Sequence, residues 1–340
     1  MRICIYGLGA VGGFIGARLA ANGQQVSAVA RGATLAAVAR DGLALLEAPM
    51  APGAAPATPG GIPTRTVVRL TVVDEPARLG PQDLVVVSVK TTGMAEAARH
   101  IGPLIGPQTI VLTAMNGVPW WFFDGLDDAL AARDWTSIDP GRAIAAAIPV
   151  SRVLGCVVHF ACSVERPGVV RHAQGRRLIV GEPTGGDSER VRRVAALLAA
   201  AGFEIEVSSR IQQDIWFKLW GNTTFNPVSA LTGATADRIL DDPLVRAFMS
   251  AVMLEAGAIG ERIGLPIPVT PEERHQVTRQ LGAFKTSMLQ DVEAGRPVEI
   301  DALVAIVGEI GRAVGLATPH LDALHGLARL QARTRGLYPG

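Results

Sequence analysis

The sequence predicts an α/β protein in two parts: a parallel-sheet half followed by an all-helical half. Three observations carry this. Short apolar runs alternate with helical patterns from the first residues to about residue 181. A glycine cluster sits in the first of these alternations. From about Ser209 the strand-like runs stop and helix start and stop signals take over. The domain boundaries read this way are 1–208 and 209–340, in keeping with the roughly two domains that 340 residues suggest.

Ile3 to Tyr6 is an apolar run that leads into Gly7-Leu8-Gly9-Ala10-Val11-Gly12. A helical pattern follows from about Val11 to Ala21, Gly23 ends it, and Gln25 to Ala30 reads as a second strand. Strand, glycine turn, helix and strand within about 30 residues form the dinucleotide-binding fingerprint of a Rossmann domain. Gly7 permits the tight turn, Gly9 lets backbone approach a pyrophosphate, and Gly12 allows close helix–strand packing. The N–H groups at the helix start would face the phosphates.

The residue ending the second strand chooses the cofactor. NAD enzymes usually carry a carboxylate there for the ribose hydroxyls. Here it is Arg31, whose guanidinium can fork onto a 2′-phosphate. NADP(H) is therefore the expected cofactor.

Further strands are predicted at Arg69 to Val73, Leu84 to Val89, Thr109 to Thr113, Ala143 to Pro149, Gly155 to Ser163, Val169 to His172 and Leu178 to Gly181. Thr92 to Arg99 reads as a helix, and the Pro/Gly/Ala-rich stretch Ala48 to Pro63 as a surface loop. Gly7, Lys90 and Asn116 each lie just past a predicted strand end, where ligands of such sheets bind. In the helical half, Thr270-Pro271-Glu272-Glu273 and Thr318-Pro319 mark helix starts. Asp242-Pro243 opens another helix that runs to about Ile263, with Gly264 as its stop. Ile300, Leu303, Val304, Val307 and Ile310 mark one apolar face, and Trp216 and Trp220 are expected in the core. A cleft is expected where a nucleotide domain meets a helical one.

The composition is 49% hydrophobic and 19% charged, with a net charge of +1, which gives no reason to invoke nucleic acid or an anionic membrane. Cys4, Cys156 and Cys162 form no C-x-x-C pair, and the six histidines make no recognisable metal set. No signal peptide or membrane span is read, so the expected compartment is the cytoplasm.

Only three lysines, Lys90, Lys218 and Lys285, stand against 29 arginines. A lysine retained in such a chain either survives by chance at the surface or does what arginine cannot: present a compact ammonium able to lose its proton. Lys218, Asn222 and Asn226 stand at i, i+4 and i+8 in an otherwise apolar segment, so on a helix they share a face. One ammonium and two carboxamides suit a small oxygen-rich anion; the alternative is the wet side of an amphipathic helix. Pro227 follows near the helix end or at a kink.

Taken in order, these motifs resemble ketopantoate reductases over nearly the whole length. The resemblance rests on Gly7 to Gly12, Arg31, Val89-Lys90, Asn116-Gly117, Lys218-x3-Asn222-x3-Asn226-Pro227, Ser287-Met288-Leu289-Gln290-Asp291 and Glu299-Ile300-Asp301. It implies NADPH-dependent reduction of ketopantoate to pantoate, with Lys218 as proton donor to the keto oxygen and Glu299 close to Lys218 and the cofactor. It implies that Asn222, Asn226 and Ser287 bind substrate, that Asn116 meets both substrate and cofactor, and that Lys90 lies near the nicotinamide. Ala161 resembles a position whose backbone meets the nicotinamide. The implied partners are a small 2-keto acid and, as an open possibility, a second copy of the chain.

Two departures stand out. Val118 to Phe123 intervenes where many members continue with another glycine, and its aromatic rings could close over substrate, pack in the core or meet another copy. Some members also carry an Asn about ten residues past the second stripe Asn, where this chain has Ala236. A reductase of another 2-keto acid and a non-catalytic NADP-binding redox sensor are the competing readings. If Arg31 reads the 2′-phosphate, Arg31→Ala should raise the Michaelis constant for NADPH about ten- to a hundredfold while that for NADH barely moves. Steady-state kinetics with both cofactors would show this, and an unchanged NADPH preference would remove the assignment.

Overall fold

The computed structural model describes residues 1–47 and 63–339. Of the loop expected at 48–63, all but Pro63 lies outside the described residues. Packing divides the chain into two compact units, one of residues 1–115 and 143–211, the other of 116–142 and 212–340. The segment 116–142 thus groups with the helical unit, although it lies between strands of the sheet in sequence.

The first unit holds one ten-stranded sheet among the described residues. Its strands are β1 (Arg2–Tyr6), β2 (Gln25–Val29), β3 (Leu43–Glu47), β4 (Thr64–Val68), β5 (Thr71–Val73), β6 (Gln82–Val87), β7 (Ile105–Ala114), β8 (Val153–Arg166), β9 (Val169–Gly181) and β10 (Glu204–Ser208). The run β5-β2-β1-β6-β7-β8 is parallel throughout. In chain order this is the 3-2-1-4-5-6 arrangement of a Rossmann sheet. β9 then pairs antiparallel with β8, and β3, β4 and β10 extend the sheet beyond β9. Leu84, Val85, Val86 and Val87 are all fully buried, as expected of a continuous apolar run in a sheet covered on both faces. Phe14, Ile15 and Leu19 of the helix Ala10–Ala21 join the same core.

Several predicted elements shift. Ala143 to Pro149 is not a strand: Ala143–Ala147 is a short helix. Its four alanines are the strongest helix formers, and Ile144 alone is buried, so there is no strand-like alternation to anchor to a sheet. The two strands expected at Val169 to His172 and Leu178 to Gly181 are one strand, β9. The strand expected at Arg69 to Val73 is only β5, and Arg69 and Leu70 lie between β4 and β5. β6 ends at Val87, so Lys90 stands three residues beyond the strand.

In the second unit the helix starts follow their capping chemistry. Thr270 accepts from the Glu273 N–H, and the Glu273 carboxylate accepts in return from the Thr270 N–H at 2.7 Å, a complete capping box. Asp242 accepts from the N–H groups of Leu244 and Val245. The last helix, Pro319–Thr334, does begin at Pro319, but the Thr318 side chain makes no cap bond. Glu255 replaces it from another helix, accepting from the N–H groups of His320 and Leu321 at 3.0 and 2.9 Å. Pro243–Arg262 is long and apolar enough to cross a membrane by length and composition alone. Its buried stripe of Met249, Val252, Met253, Ala256 and Ile259 is that of a packing helix.

A methyl group at Gly12 would lie 2.1 Å from the Gly7 carbonyl oxygen and 2.1 Å from Ser88 Oγ. Gly12→Ala should therefore lower stability by about 2–3 kcal/mol, read as a fall in the urea midpoint at unchanged slope. An unchanged midpoint would mean that the turn yields freely.

Candidate functional site

In the first unit, β1 delivers the chain to the turn that runs from Gly7 to the helix start at Ala10. The Gly7 N–H donates to the Val29 carbonyl at 3.1 Å, which ties the turn to the end of β2. Gly7 has φ +102°, a left-handed conformation that glycine adopts without strain, and a Cβ there would meet Val89 Cγ1 at 2.8 Å. Ser88 Oγ donates to the Gly7 carbonyl at 2.8 Å. Gly12 thus contacts the turn itself and Ser88, as well as the strand residue Ile5. Around the Cβ position of Gly9 no described residue lies within 4 Å, and Gly9 caps the helix Ala10–Ala21, whose first turn holds no acidic residue. Open space, orphan N–H groups and no opposing carboxylate fit a dinucleotide diphosphate. Leu8 is buried beneath the turn, while Ala10 and Val11 are half-buried on the helix start.

Tyr6, which precedes the turn, was not singled out from the sequence. It is buried, its hydroxyl has no hydrogen-bond partner among the described residues, and burial pushes its pKa up. A tyrosine closing a core strand was the only signal available.

Arg31 caps the helix Gly32–Asp41 and pairs with Glu96, both side chains half exposed. The Arg31 guanidinium holds the Glu96 carboxyl below the usual carboxylate range. Lys90 caps the turn Thr91–Gly93 and is half-buried. Ala161 lies in β8 opposite Gln174, where the β8–β9 register shifts.

In the second unit, the stripe expected from the sequence lies on the helix Ile211–Thr232. Lys218 and Asn222 are half-buried, and Asn226 is buried. Pro227 sits inside this helix, five residues before its end. The opposite side is anchored by Trp220, whose indole N–H donates to the Met253 carbonyl at 2.6 Å, and by Trp216, packed against Gly260. That anchoring sets which face carries Lys218.

The Lys218 ammonium donates to Asn116 Oδ1 at 2.8 Å. Asn116 is placed by the residue after it. Gly117 has φ +79°, and a Cβ there would lie 2.5 Å from the Ala302 carbonyl oxygen. The next N–H, Val118, donates to that same oxygen at 2.9 Å. Backbone therefore rests on backbone, which only glycine allows. Downstream, Val118, Trp121, Phe122 and Phe123 are at most 1% exposed and Trp120 is 8% exposed. Phe123 stacks on Trp135 with ring centroids 4.3 Å apart, and Gln212 Nε2 donates to the Asp124 carbonyl at 2.8 Å. Of the three readings of this segment, core packing is the one observed.

Glu299 is half-buried between the buried Val298 and Ile300, at the start of the turn Asp301–Ala305. Arg296 Nε donates to Asp291 Oδ1 at 3.0 Å, so the Ser287-x3-Asp291 motif closes onto the segment that carries Glu299. Ser287 is exposed in the first turn of Ser287–Glu293. Lys285 is a surface residue paired with Glu293 at 2.6 Å. Ala236 is fully buried and donates its N–H to the Phe284 carbonyl at 3.0 Å. Arg274 is a further group missed by sequence reasoning. Its guanidinium lies over the Phe217 ring, 5.4 Å from the centroid, and against Gly221, one residue before Asn222. Its buried Nε has no hydrogen-bond partner among the described residues.

Two family profiles match the chain, "Ketopantoate reductase PanE/ApbA" over residues 3–185 and "Ketopantoate reductase PanE/ApbA C terminal" over 210–332. A 2-dehydropantoate 2-reductase of Mesorhizobium japonicum is 44% identical over 339 residues, covering 99% of this chain and 100% of that protein. A crystal structure of a candidate ketopantoate reductase from Ralstonia solanacearum MolK2 is similar at 55% identity and TM-score 0.91, with 99% of each chain covered. D-Mandelate dehydrogenase, solved with NADH and anilino(oxo)acetate, shares the fold at 18% identity and TM-score 0.83, covering 99% of this chain and 100% of that one.

Gly117→Ala should lift the turn off Ala302. Hydrogen exchange at the Val118 amide should then quicken, and stability should fall by about 2 kcal/mol. Undiminished protection at Val118 would contradict the docking described.

Proposed function

The chain belongs to the ketopantoate reductase family, and from that premise we propose how its residues reduce ketopantoate to pantoate. The family's reaction adds a hydride to C2 and a proton to the C2 oxygen of a small 2-keto acid, and the cofactor is a nicotinamide dinucleotide. Bound cofactor supplies the hydride.

The observation that carries the reading is the Lys218 ammonium held by Asn116 Oδ1 at 2.8 Å. As hydride reaches C2, negative charge grows on the oxygen. A cation fixed beside that oxygen acts most strongly in the transition state, where the charge is largest. Lysine can also release a proton to the alkoxide, which arginine essentially cannot. The Asn116 carboxamide orients the ammonium by accepting one of its hydrogen bonds. Asn222 and Asn226 offer amide donors and acceptors to the substrate's hydroxyl and carboxylate, and the Ser287 hydroxyl adds one more donor. The Glu299 carboxylate assists Lys218 and meets the cofactor.

Gly7 to Gly12 would hold the diphosphate, with Leu8, Ala10 and Val11 as their backbone neighbours. Lys90, Asn116 and the Ala161 backbone would meet the nicotinamide end. NADPH is the cofactor this reading favours. Its support is Arg31, a guanidinium where NAD enzymes place a carboxylate. The Arg31–Glu96 pair is half exposed on both sides, so it holds Arg31 only weakly and a dianionic 2′-phosphate can take the guanidinium over.

NADPH consumption with ketopantoate tests the reading directly. Lys218→Ala should lower kcat at least about a hundredfold, while NADPH binding followed by fluorescence stays intact. Near-normal turnover in that variant would end the assignment of Lys218.

A further inference from the structure

The segment that carries Glu299 is gripped from both sides by residues that follow the last helix. The reversal begins at Gly336, with φ +68°. The Leu337 N–H donates to the Ala332 carbonyl at 2.8 Å and the Gly336 N–H to the Arg333 carbonyl at 2.9 Å. This is a Schellman turn, and it sends the chain back across the unit instead of outward. The Leu337 side chain is buried, and the Leu337 carbonyl accepts from the Val298 N–H at 3.2 Å. One residue on, the Tyr338 hydroxyl donates to Asp301 Oδ1 at 2.5 Å. Arg333 lies over the Tyr338 ring, 5.6 Å from its centroid, and its Nε donates to the Pro339 carbonyl at 2.9 Å. Val298 precedes Glu299 and Asp301 follows it by two residues, so the two bonds bracket the carboxylate-bearing residue.

Burial and the Asp301 carboxylate push the Tyr338 hydroxyl up to about 12, so it remains a protonated donor at any working pH. The bond to a charged acceptor is of the stronger kind. The next residue, Ala302, carries the carbonyl on which Gly117 and Val118 rest, and Asn116 there holds Lys218. The clasp, the Glu299 segment, the Gly117 turn and the Lys218 ammonium thus form one contiguous chain of contacts.

We propose that residues 336–339 are a clasp that positions Glu299, with Tyr338 as a positioning residue for the reaction that touches neither substrate nor cofactor. The proposal rests on the role given to Glu299 above. Without the Tyr338 bond the segment between Val298 and Ala302 gains freedom, and the fraction of molecules with Glu299 in its working place falls.

Tyr338→Phe removes one oxygen and keeps the ring, so the fold should survive, which a thermal melt checks. In that variant kcat with ketopantoate and NADPH should fall about ten- to a hundredfold, the scale of one hydrogen bond to a charged group, while the Michaelis constant for NADPH is unchanged. Deleting residues 337 onward should have the larger effect, because the Leu337 acceptor is lost as well. Combined with Glu299→Gln, Tyr338→Phe should add little further loss, since both act through one group. Wild-type turnover in Tyr338→Phe would overturn the clasp, and so would losses that simply multiply in the double variant. Wild-type turnover in Glu299→Gln alone would instead mean that the role of Glu299 has failed, leaving the clasp with nothing to position.

Discussion

A hydrogen bond between a lysine ammonium and an asparagine carbonyl, Lys218 Nζ to Asn116 Oδ1, organises the second unit. An ammonium on a four-carbon stem has many rotamers, and a bare lysine would spread its charge over a wide volume. The asparagine narrows that volume. It can do so only because Gly117 lets the backbone turn left-handed and lie against Ala302, where any side chain would strike the Ala302 carbonyl. The aromatic run that follows then buries itself and prevents the turn from lifting. Precision at the polar end is supplied by packing at the apolar end.

The first unit solves a different problem by similar means. A diphosphate, the ligand proposed for this turn, needs backbone N–H groups and room, and both are created by leaving side chains out. Gly9 leaves room, while Gly7 and Gly12 let the turn and the helix approach until Ser88 can bond the turn carbonyl. The charges around it are arranged loosely. Arg31 and Glu96 meet at half-exposed positions, where an ion pair contributes little net stability. Rigid backbone and displaceable surface charge together suit a ligand with one invariant part and one variable part.

Much of this was legible in the chain itself. Gly7 to Gly12 announced their turn because the spacing is local and the steric demand falls on the glycines themselves. Thr270-Pro271-Glu272-Glu273 announced a helix start because a capping box closes within four residues. Lys218, Asn222 and Asn226 announced a shared face because helical periodicity needs no tertiary information. Where local signals competed, the reading failed. The alanine-rich stretch after Ala143 looked like one more apolar strand and is a helix, since periodicity cannot separate the two in so short a run. The start marked by Thr318-Pro319 holds, yet its free N–H groups are met by Glu255, more than sixty residues earlier.

By itself the sequence determined the glycine turn, the helix starts and the residue types on the Lys218 face, all properties that act over one or two turns of chain. Only the tertiary structure decided that 116–142 packs with the helical unit, that Asn116 is the partner of Lys218, and that Tyr338 and Leu337 hold the segment around Glu299. Those pairings join residues dozens to more than a hundred positions apart. Many backbones are compatible with the same local preferences, and burial of the aromatic run and the closing of long loops select among them.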